Sequence, residues 1–385
     1  MAKRIPLFAI YWDEADVKRV TEAISSGRNW AIGAHIKEFE DELARYTSTR
    51  YCVTFNSGTS GLHAALLAYG IGQGDEVIVP SFTFISTANA PLFVRARPVF
   101  ADIEEETYAL SAADVQEKIT SRTKALLPIH YGGCPCHIKE LKEVAEDNGL
   151  LLIEDAAEAL GASVDGQLVG TFGDAAVLSF CQNKVLSTGE GGAVVTNSPS
   201  IYERLKLIRS HGRVENGDYF CSTERTDYVT LGYNFRMSNI VAALGISQLE
   251  KVDWLISLRR QKAAALAARL RDDVPAIVPH KPPNGYRHVY QMFTVQAPQR
   301  DELMCYLDER GITTKVYFEP VHMTRFYKDV LRYTDKLPIT EKVAARVVTL
   351  PMYPTLAEED ITYIVDEIKH FYEMQGDDDR PKRIL

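Results

Sequence analysis

Apolar residues first recur along the chain with a helical period and then gather into short unbroken runs. Val17, Val20 and Ile24 fall three or four residues apart ahead of Gly27, which predicts an amphipathic helix over residues 13–27. A second helix is expected near residues 35–46, leading into a short strand at Tyr51–Phe55. The pattern then changes. Glu76–Val79, Arg97–Phe100, Ala125–Ile129, Leu150–Ile153, Ala176–Phe180 and Ala193–Thr196 are brief apolar runs, several bounded by helical stretches such as Ile138–Asn148. Strands alternating with helices imply crossover connections, and hence an α/β fold whose mostly parallel central sheet is flanked by helices.

The C-terminal third reads differently. Ser238–Leu270 predicts one long helix that connects two domains. A loop rich in Pro and Gly (Pro279–Gly285) follows, then a strand at Val289–Val295, a helix at Arg300–Arg310, a strand at Thr313–Tyr317 and a closing helix near Glu358–Tyr372. This is an α+β layout, and 385 residues suit more than one domain. The expected division is a large domain over 1–265, including the N-terminal helical segment, and a small C-terminal domain over 266–375. The charged residues 376–385 are expected to be a flexible tail.

The net charge of -9 argues against general affinity for nucleic acid, since phosphate backbones are bound through clustered Lys and Arg. The N-terminus lacks the sustained apolar core of a signal peptide, and no run approaches the ~18 uncharged residues of a membrane span. A cytoplasmic protein that binds neither membrane nor nucleic acid is expected. Six scattered cysteines make no disulfide framework. Cys134-Pro135-Cys136-His137 has no second Cys/His pair at a zinc-like spacing, so no metal is expected.

Three clusters carry candidate chemistry. Ser57-Gly58-Thr59-Ser60 lies between a strand and the apolar helix Gly61–Tyr69, where glycine and a helix N-terminus admit an anion; an ordinary N-cap would look the same. The buried-looking strand at 151–155 ends in Glu154 and Asp155, a place where ligands gather in open α/β sheets, although a helix-capping acid is as good a reading. Lys184 sits in a segment of small polar residues, 29 positions after Asp155. A partly desolvated lysine forms Schiff bases, and pyridoxal phosphate (PLP) needs in addition a phosphate cradle and an acid for its ring nitrogen. The chain supplies cradle, acid and lysine in that order.

Six ordered motifs resemble the DegT/StrS group of sugar aminotransferases, fold-type I PLP enzymes, over about residues 5–372. They are SGTS at Ser57–Ser60, PSFTF at Pro80–Phe84, EDAAE at Glu154–Glu158, Ser179-Phe180 with Lys184, GEGG at Gly189–Gly192, and GYNFRMSN at Gly232–Asn239. The resemblance implies that Lys184 carries the cofactor as an imine and shuttles a proton, while Asp155 pairs with the ring nitrogen. It also implies that Phe84 stacks on the ring and that Gly58, Thr59 and Ser179 hold the phosphate. Asn234 would reach that phosphate from a neighbouring subunit, making a homodimer the minimal unit. Glu158, near the phenolic oxygen, and Val185, after the lysine, depart from many relatives and resemble the perosamine synthase branch, which aminates carbon 4 of a GDP-linked keto sugar.

The segment Lys315–His322 resembles one that lines the sugar site, so Tyr317 and His322 are candidate substrate contacts. Arg213 and Arg236 are candidates for an anionic substrate group. The reaction implied is ping-pong transamination, from L-glutamate through pyridoxamine phosphate to a nucleotide-linked keto-deoxysugar, for glycan or related glycoconjugate biosynthesis. Alternatives are a sugar dehydratase of the same fold, in which His replaces the lysine, and a non-catalytic PLP- or sugar-binding regulator.

Overall fold

In the computed structural model, which describes residues 4–214, 223 and 225–378, the short apolar runs line up as one seven-stranded sheet. Its strands are β1 (Tyr51–Phe55), β2 (Glu76–Pro80), β3 (Arg97–Ala101), β4 (Thr123–Leu126), β5 (Leu151–Asp155), β6 (Ala175–Ser179) and β7 (Gly192–Thr196). Their spatial order is β1-β7-β6-β5-β4-β2-β3. Every pair from β6 to β3 is parallel, and β7 runs antiparallel to both β1 and β6. The mostly parallel sheet is present, with one reversed strand.

Helices α1 (Glu14–Ser25), α2 (Ala34–Thr47), α3 (Gly58–Ala68), α4 (Ile85–Phe93), α5 (Ala112–Lys118), α6 (Ile138–Asn148) and α7 (Pro199–Arg209) cover the sheet. Val177 and Val194 pack with Leu62, Leu66 and Leu205 on one face. Their neighbours Ala176, Leu178 and Val195 pack with Phe39, Leu43 and Ile246 on the other. With both faces covered, the central strands need no polar alternation, which is why they appear in the sequence as unbroken apolar runs.

Several expectations for the C-terminal third are corrected. The long helix is two: α8 (Asn239–Glu250) and α9 (Val252–Asp273), separated at Lys251, whose φ of -111° and ψ of 3° are not helical. The Lys251 ammonium donates to Asp13 at 2.6 Å and Asp16 at 3.0 Å, at the capped start of α1, so the elbow is pinned from outside. The strand expected at 313–317 is absent. Thr313 donates its N–H to Ile5 and Lys315 exchanges bonds with Thr349, so the segment is passed between two partners instead of pairing with one.

The second sheet is β8 (Val278–Pro279), β9 (Phe293–Gln296) and β10 (Val347–Leu350), antiparallel throughout. The strand expected from Val289 begins only at Phe293, because the Val289 and Met292 N–H groups bond instead to Gly133 and Gly132. Helices α10 (Arg300–Glu309), α11 (Pro338–Ala344) and α12 (Glu358–Asp378) accompany this sheet. Its apolar cluster joins Leu266, Val295, Leu303, Ile364 and Ile368 with Ile5 from the N-terminal segment. Met352 N–H bonds to the Leu7 carbonyl. Helix α12 runs into the region expected to be tail, and residues 379–385 lie outside the described residues. Among the described residues, no helix is long and apolar enough to cross a membrane, and no cluster of three His, Cys, Asp or Glu is arranged to hold a metal.

One buried ion pair ties three elements together. Glu40 of α2 meets Arg209 of α7, and the same Glu40 oxygen accepts from Thr54 N–H at 2.8 Å and Thr54 Oγ1 at 2.9 Å in β1. Removing Glu40 takes a buried counter-charge from Arg209 and the acceptor from both Thr54 donors, so Glu40→Ala should destabilise the protein by about 3–5 kcal/mol. Urea unfolding of the variant beside wild type measures this.

Candidate active site

The site begins where two backbones nearly touch. The turn between β1 and α3 carries Ser57, whose hydroxyl caps the helix by accepting from Ser60 N–H at 3.1 Å. Helix geometry leaves the Gly58 and Thr59 N–H groups without helical acceptors, and the dipole makes that end positive. A Cβ added at Gly192 would stand 2.5 Å from Gly58 N, and one at Gly58 would stand 3.1 Å from Ser179 Cβ. Glycine at both positions thus lets the ends of β6 and β7 close against the helix start. The result is a cup of N–H and hydroxyl donors suited to a phosphate.

The first turn of α4 organises the rest. Ser86 Oγ bonds Thr59 Oγ1 at 2.8 Å, reaching the cup. Thr87 Oγ1 donates to Asp155 Oδ2 at 2.7 Å and bonds Thr83 Oγ1 at 2.7 Å. Phe84, just ahead of the helix, keeps 53% of its surface exposed, with the Phe318 ring 5.9 Å away. Sequence reading found Phe84 and missed Thr83, Ser86, Thr87 and Phe318. The signal lay in the register: hydroxyls at positions two and three after an exposed aromatic share its helical turn.

The two acids ending β5 separate cleanly. Glu154 is fully buried, with one oxygen accepting from Phe172 and Gly173 N–H, each at 2.8 Å. Its other oxygen accepts from Gly170 N–H at 2.7 Å and His130 Nε2 at 3.0 Å. Glu154 is occupied in shaping a loop. Asp155 has only Thr87 on one oxygen and Ala157 N–H, at 3.2 Å, on the other. Burial pushes its pKa up, the Thr87 and Ala157 donors pull it down, the Glu158 charge raises it and Lys184 lowers it. A buried carboxylate so placed favours a cationic partner.

Lys184 follows β6. Its Nζ donates to Glu158 Oε1 at 3.2 Å, and Glu158 Oε2 accepts from Gly132 N–H at 2.9 Å. Both side chains are largely withdrawn from solvent, at 13% and 2% exposed. The preceding Asn183 carbonyl accepts from Gln291, fixing the loop. Nearby, the Cys134 and Cys136 thiols are buried, which pushes their pKa values up, and the His137 ring turns to Tyr286 and Glu106.

The remaining candidates are spread wider. Tyr317 stands by Asn183, its carbonyl takes the Tyr131 hydroxyl, and burial pushes its own phenol pKa up. His322 is buried, its Nδ1 2.6 Å from Ser81 Oγ and its Nε2 3.4 Å from Glu341. It braces the strand end ahead of Phe84 and faces no open space. Arg213 and Arg236 both donate to Ser210 Oγ, at 3.1 and 3.3 Å, and border a cavity of about 330 Å³ with Ile32, His211, Tyr228 and Leu231. Asn234 has an exposed side chain on a fixed backbone: residue 234 bridges Ser210, and the next carbonyl, Phe235, accepts from Asn56 N–H at 2.8 Å. The segment around Asn234 and the start of the cup are thus bonded together.

Cup, acid, lysine and exposed aromatic fit PLP by shape and by charge. Comparison with known proteins agrees. A model of the DegT/DnrJ/EryC1/StrS aminotransferase family matches residues 11–369. The GDP-perosamine synthase of Escherichia coli is 37% identical over 373 residues, 96% of this chain and 99% of its own. The DesV structure from S. venezuelae, in complex with a ketimine intermediate, superposes with a TM-score of 0.88 at 33% identity, covering 96% of this chain and 99% of that one. The PLP form of a Streptococcus pneumoniae protein described as a sugar aminotransferase superposes with a TM-score of 0.90 at 26% identity, covering 97% and 99%.

The geometry around Asp155 generates a prediction. Asp155→Asn retains an oxygen for the Thr87 bond but loses the charge that would favour a protonated ring nitrogen. PLP should stay bound while turnover falls on the order of 100-fold or more, as for loss of a major electrostatic stabiliser. Absorbance of bound cofactor and steady-state rates separate the two effects. Wild-type turnover in this variant would remove Asp155 from the chemistry.

Proposed function

The chain belongs to the DegT/DnrJ/EryC1/StrS aminotransferase family, and on that premise we propose that it passes the amino group of L-glutamate to the keto carbon of a nucleotide-linked deoxysugar. The observation that carries this reading is buried Asp155, on which the Lys184 charge acts, at the end of the strand beside the one whose last residue, Ser179, closes on Gly58 in the cup. When bound, PLP supplies an electron sink that lets a proton leave the carbon bearing the amine.

The chain's own residues divide the remaining work. Gly58 and Thr59 N–H groups with the Ser179 hydroxyl bind the phosphate. Asp155, oriented by Thr87, holds the proton on the ring nitrogen. Phe84 covers one ring face, with Phe318 behind it. Lys184 anchors the cofactor between turnovers and, once released as an amine, moves a proton between two carbons. Tyr317 reaches the sugar, and Arg236 an anionic group of the substrate. The resemblance to the GDP-perosamine synthase of E. coli, with Glu158 beside Lys184 and Val185 following it, supports a GDP-linked 4-keto sugar and an amino-sugar product for surface glycans; a cytoplasmic location belongs to the same proposal.

The active unit is a homodimer or a larger assembly. Asn234 is exposed, and Tyr228, Val229 and Leu231 near it in the chain are exposed apolar residues, at 56%, 54% and 78%. Such a patch supports a second copy seated on it, which brings Asn234 to the partner's phosphate.

Two experiments test the reading. A panel of nucleotide-linked 3-keto and 4-keto sugars, supplied with L-glutamate and PLP, should yield 2-oxoglutarate with a 4-keto sugar. A binding regulator would give none, and a dehydratase would leave no glutamate nitrogen in the sugar product. In the second, mixing inactive Lys184→Ala chains with an inactive Asn234→Ala variant should restore up to about a quarter of wild-type activity, since half of random dimers are mixed and each has one intact site of two. Exchange confirmed by mass without recovered activity would confine Asn234 to its own chain.

A further inference from the structure

Glu158 is a buried carboxylate that the amino-transfer scheme above leaves without a task. Its two oxygens are differently engaged: Oε2 accepts from Gly132 N–H at 2.9 Å, and Oε1 faces Lys184 Nζ at 3.2 Å. The other ionisable groups that act on it are Asp155 on the same turn, Tyr131 on the neighbouring turn and Tyr317 across the site, all with pKa values pushed up by burial. None of these brings a positive charge, and among the described residues Lys184 is the cation in contact with the carboxylate. An ammonium beside a carboxylate favours the charged pair. Yet lysine attacks a carbonyl carbon only as the neutral amine.

We propose that Glu158 is the proton acceptor that converts the Lys184 ammonium into the amine that captures PLP. In this step one Nζ–H bond breaks, its electron pair remains on nitrogen as the lone pair, and an O–H bond forms at Oε1. The pair starts as plus and minus and ends neutral, so no charge is left over and no proton need cross to solvent. Gly132 N–H, by holding Oε2, keeps Oε1 turned toward the lysine. The inference rests on PLP binding at Lys184, which borohydride reduction and peptide mapping check independently: a tag elsewhere sinks that reading first.

A distinctive pH behaviour follows. Between the two macroscopic titrations of such a pair, the share present as amine plus carboxylic acid does not change with pH. A lone lysine instead offers about tenfold more amine for each pH unit below its pKa, ordinarily about 10.4.

The test uses cofactor-free protein and two readouts that need no turnover. Imine absorbance after adding PLP gives the capture rate from about pH 6.5 to 8.5, and dividing by the rate for N-α-acetyl-lysine cancels the ionisations of PLP itself. Competitive acetylation with peptide mapping gives the pKa of Lys184. In wild type the rate ratio should fall about tenfold per pH unit. In Glu158→Gln, which retains an oxygen for Gly132, the ratio should become constant with pH, because the lysine can then lose its proton only to solvent. A ratio still falling tenfold per pH unit in E158Q, a constant wild-type ratio, or a wild-type amine already neutral at about pH 7 would each overturn the proposal. Should E158Q not fold, the wild-type profile and labelling decide alone.

Discussion

The constraint on which the site depends is the contact between the start of α3 and the ends of β6 and β7. Gly192 lies under Gly58 with no room for a Cβ, and Gly58 lies against Ser179. This closeness is possible because β7 is the reversed strand: it enters the sheet at the end where β1 and β6 leave it. Strand ends, helix start and lysine loop therefore converge at one edge. Close-packed backbones also resist adjustment, so donor positions in the cup are set before any ligand arrives.

Hydroxyls then extend the order set by that contact. Thr59 reaches Ser86, Thr87 reaches Asp155, and Thr83 bonds Thr87, so one helical turn transmits the position of the cup to the carboxylate. The division of labour between adjacent acids follows from strand geometry. Successive side chains point to opposite faces, so Glu154 meets the 170–173 loop while Asp155 meets the first turn of α4.

The sheet and the cup were legible because each left a periodic or compositional trace: unbroken apolar runs for the buried strands, and Ser-Gly-Thr-Ser before an apolar helix. The elbow at Lys251 left none. No Pro or Gly marks it, and the residues that pin it, Asp13 and Asp16, lie more than two hundred positions away. The same holds for the segment around Lys315, whose apolar content suits a strand although its backbone is divided between Ile5 and Thr349. Sequence distance also hid the role of His322, which depends on Ser81. Local patterns predict local structure; where a distant partner decides, as at these three places, they are silent.

Residues 5–16 deserve a different description in light of these contacts. Ile5 joins the apolar cluster and bridges Ile312, the Leu7 carbonyl holds Met352, and Asp13 and Asp16 hold the elbow. The segment is a strap running from the small sheet to the hinge between α8 and α9. On the way, Leu7 and Phe8 border a small cavity with Asn183 of the lysine loop and with Tyr317. Editing at this end of the chain, whether a fusion, a cleavage scar or a trimmed start, thus loosens contacts with segments that lie hundreds of positions further on.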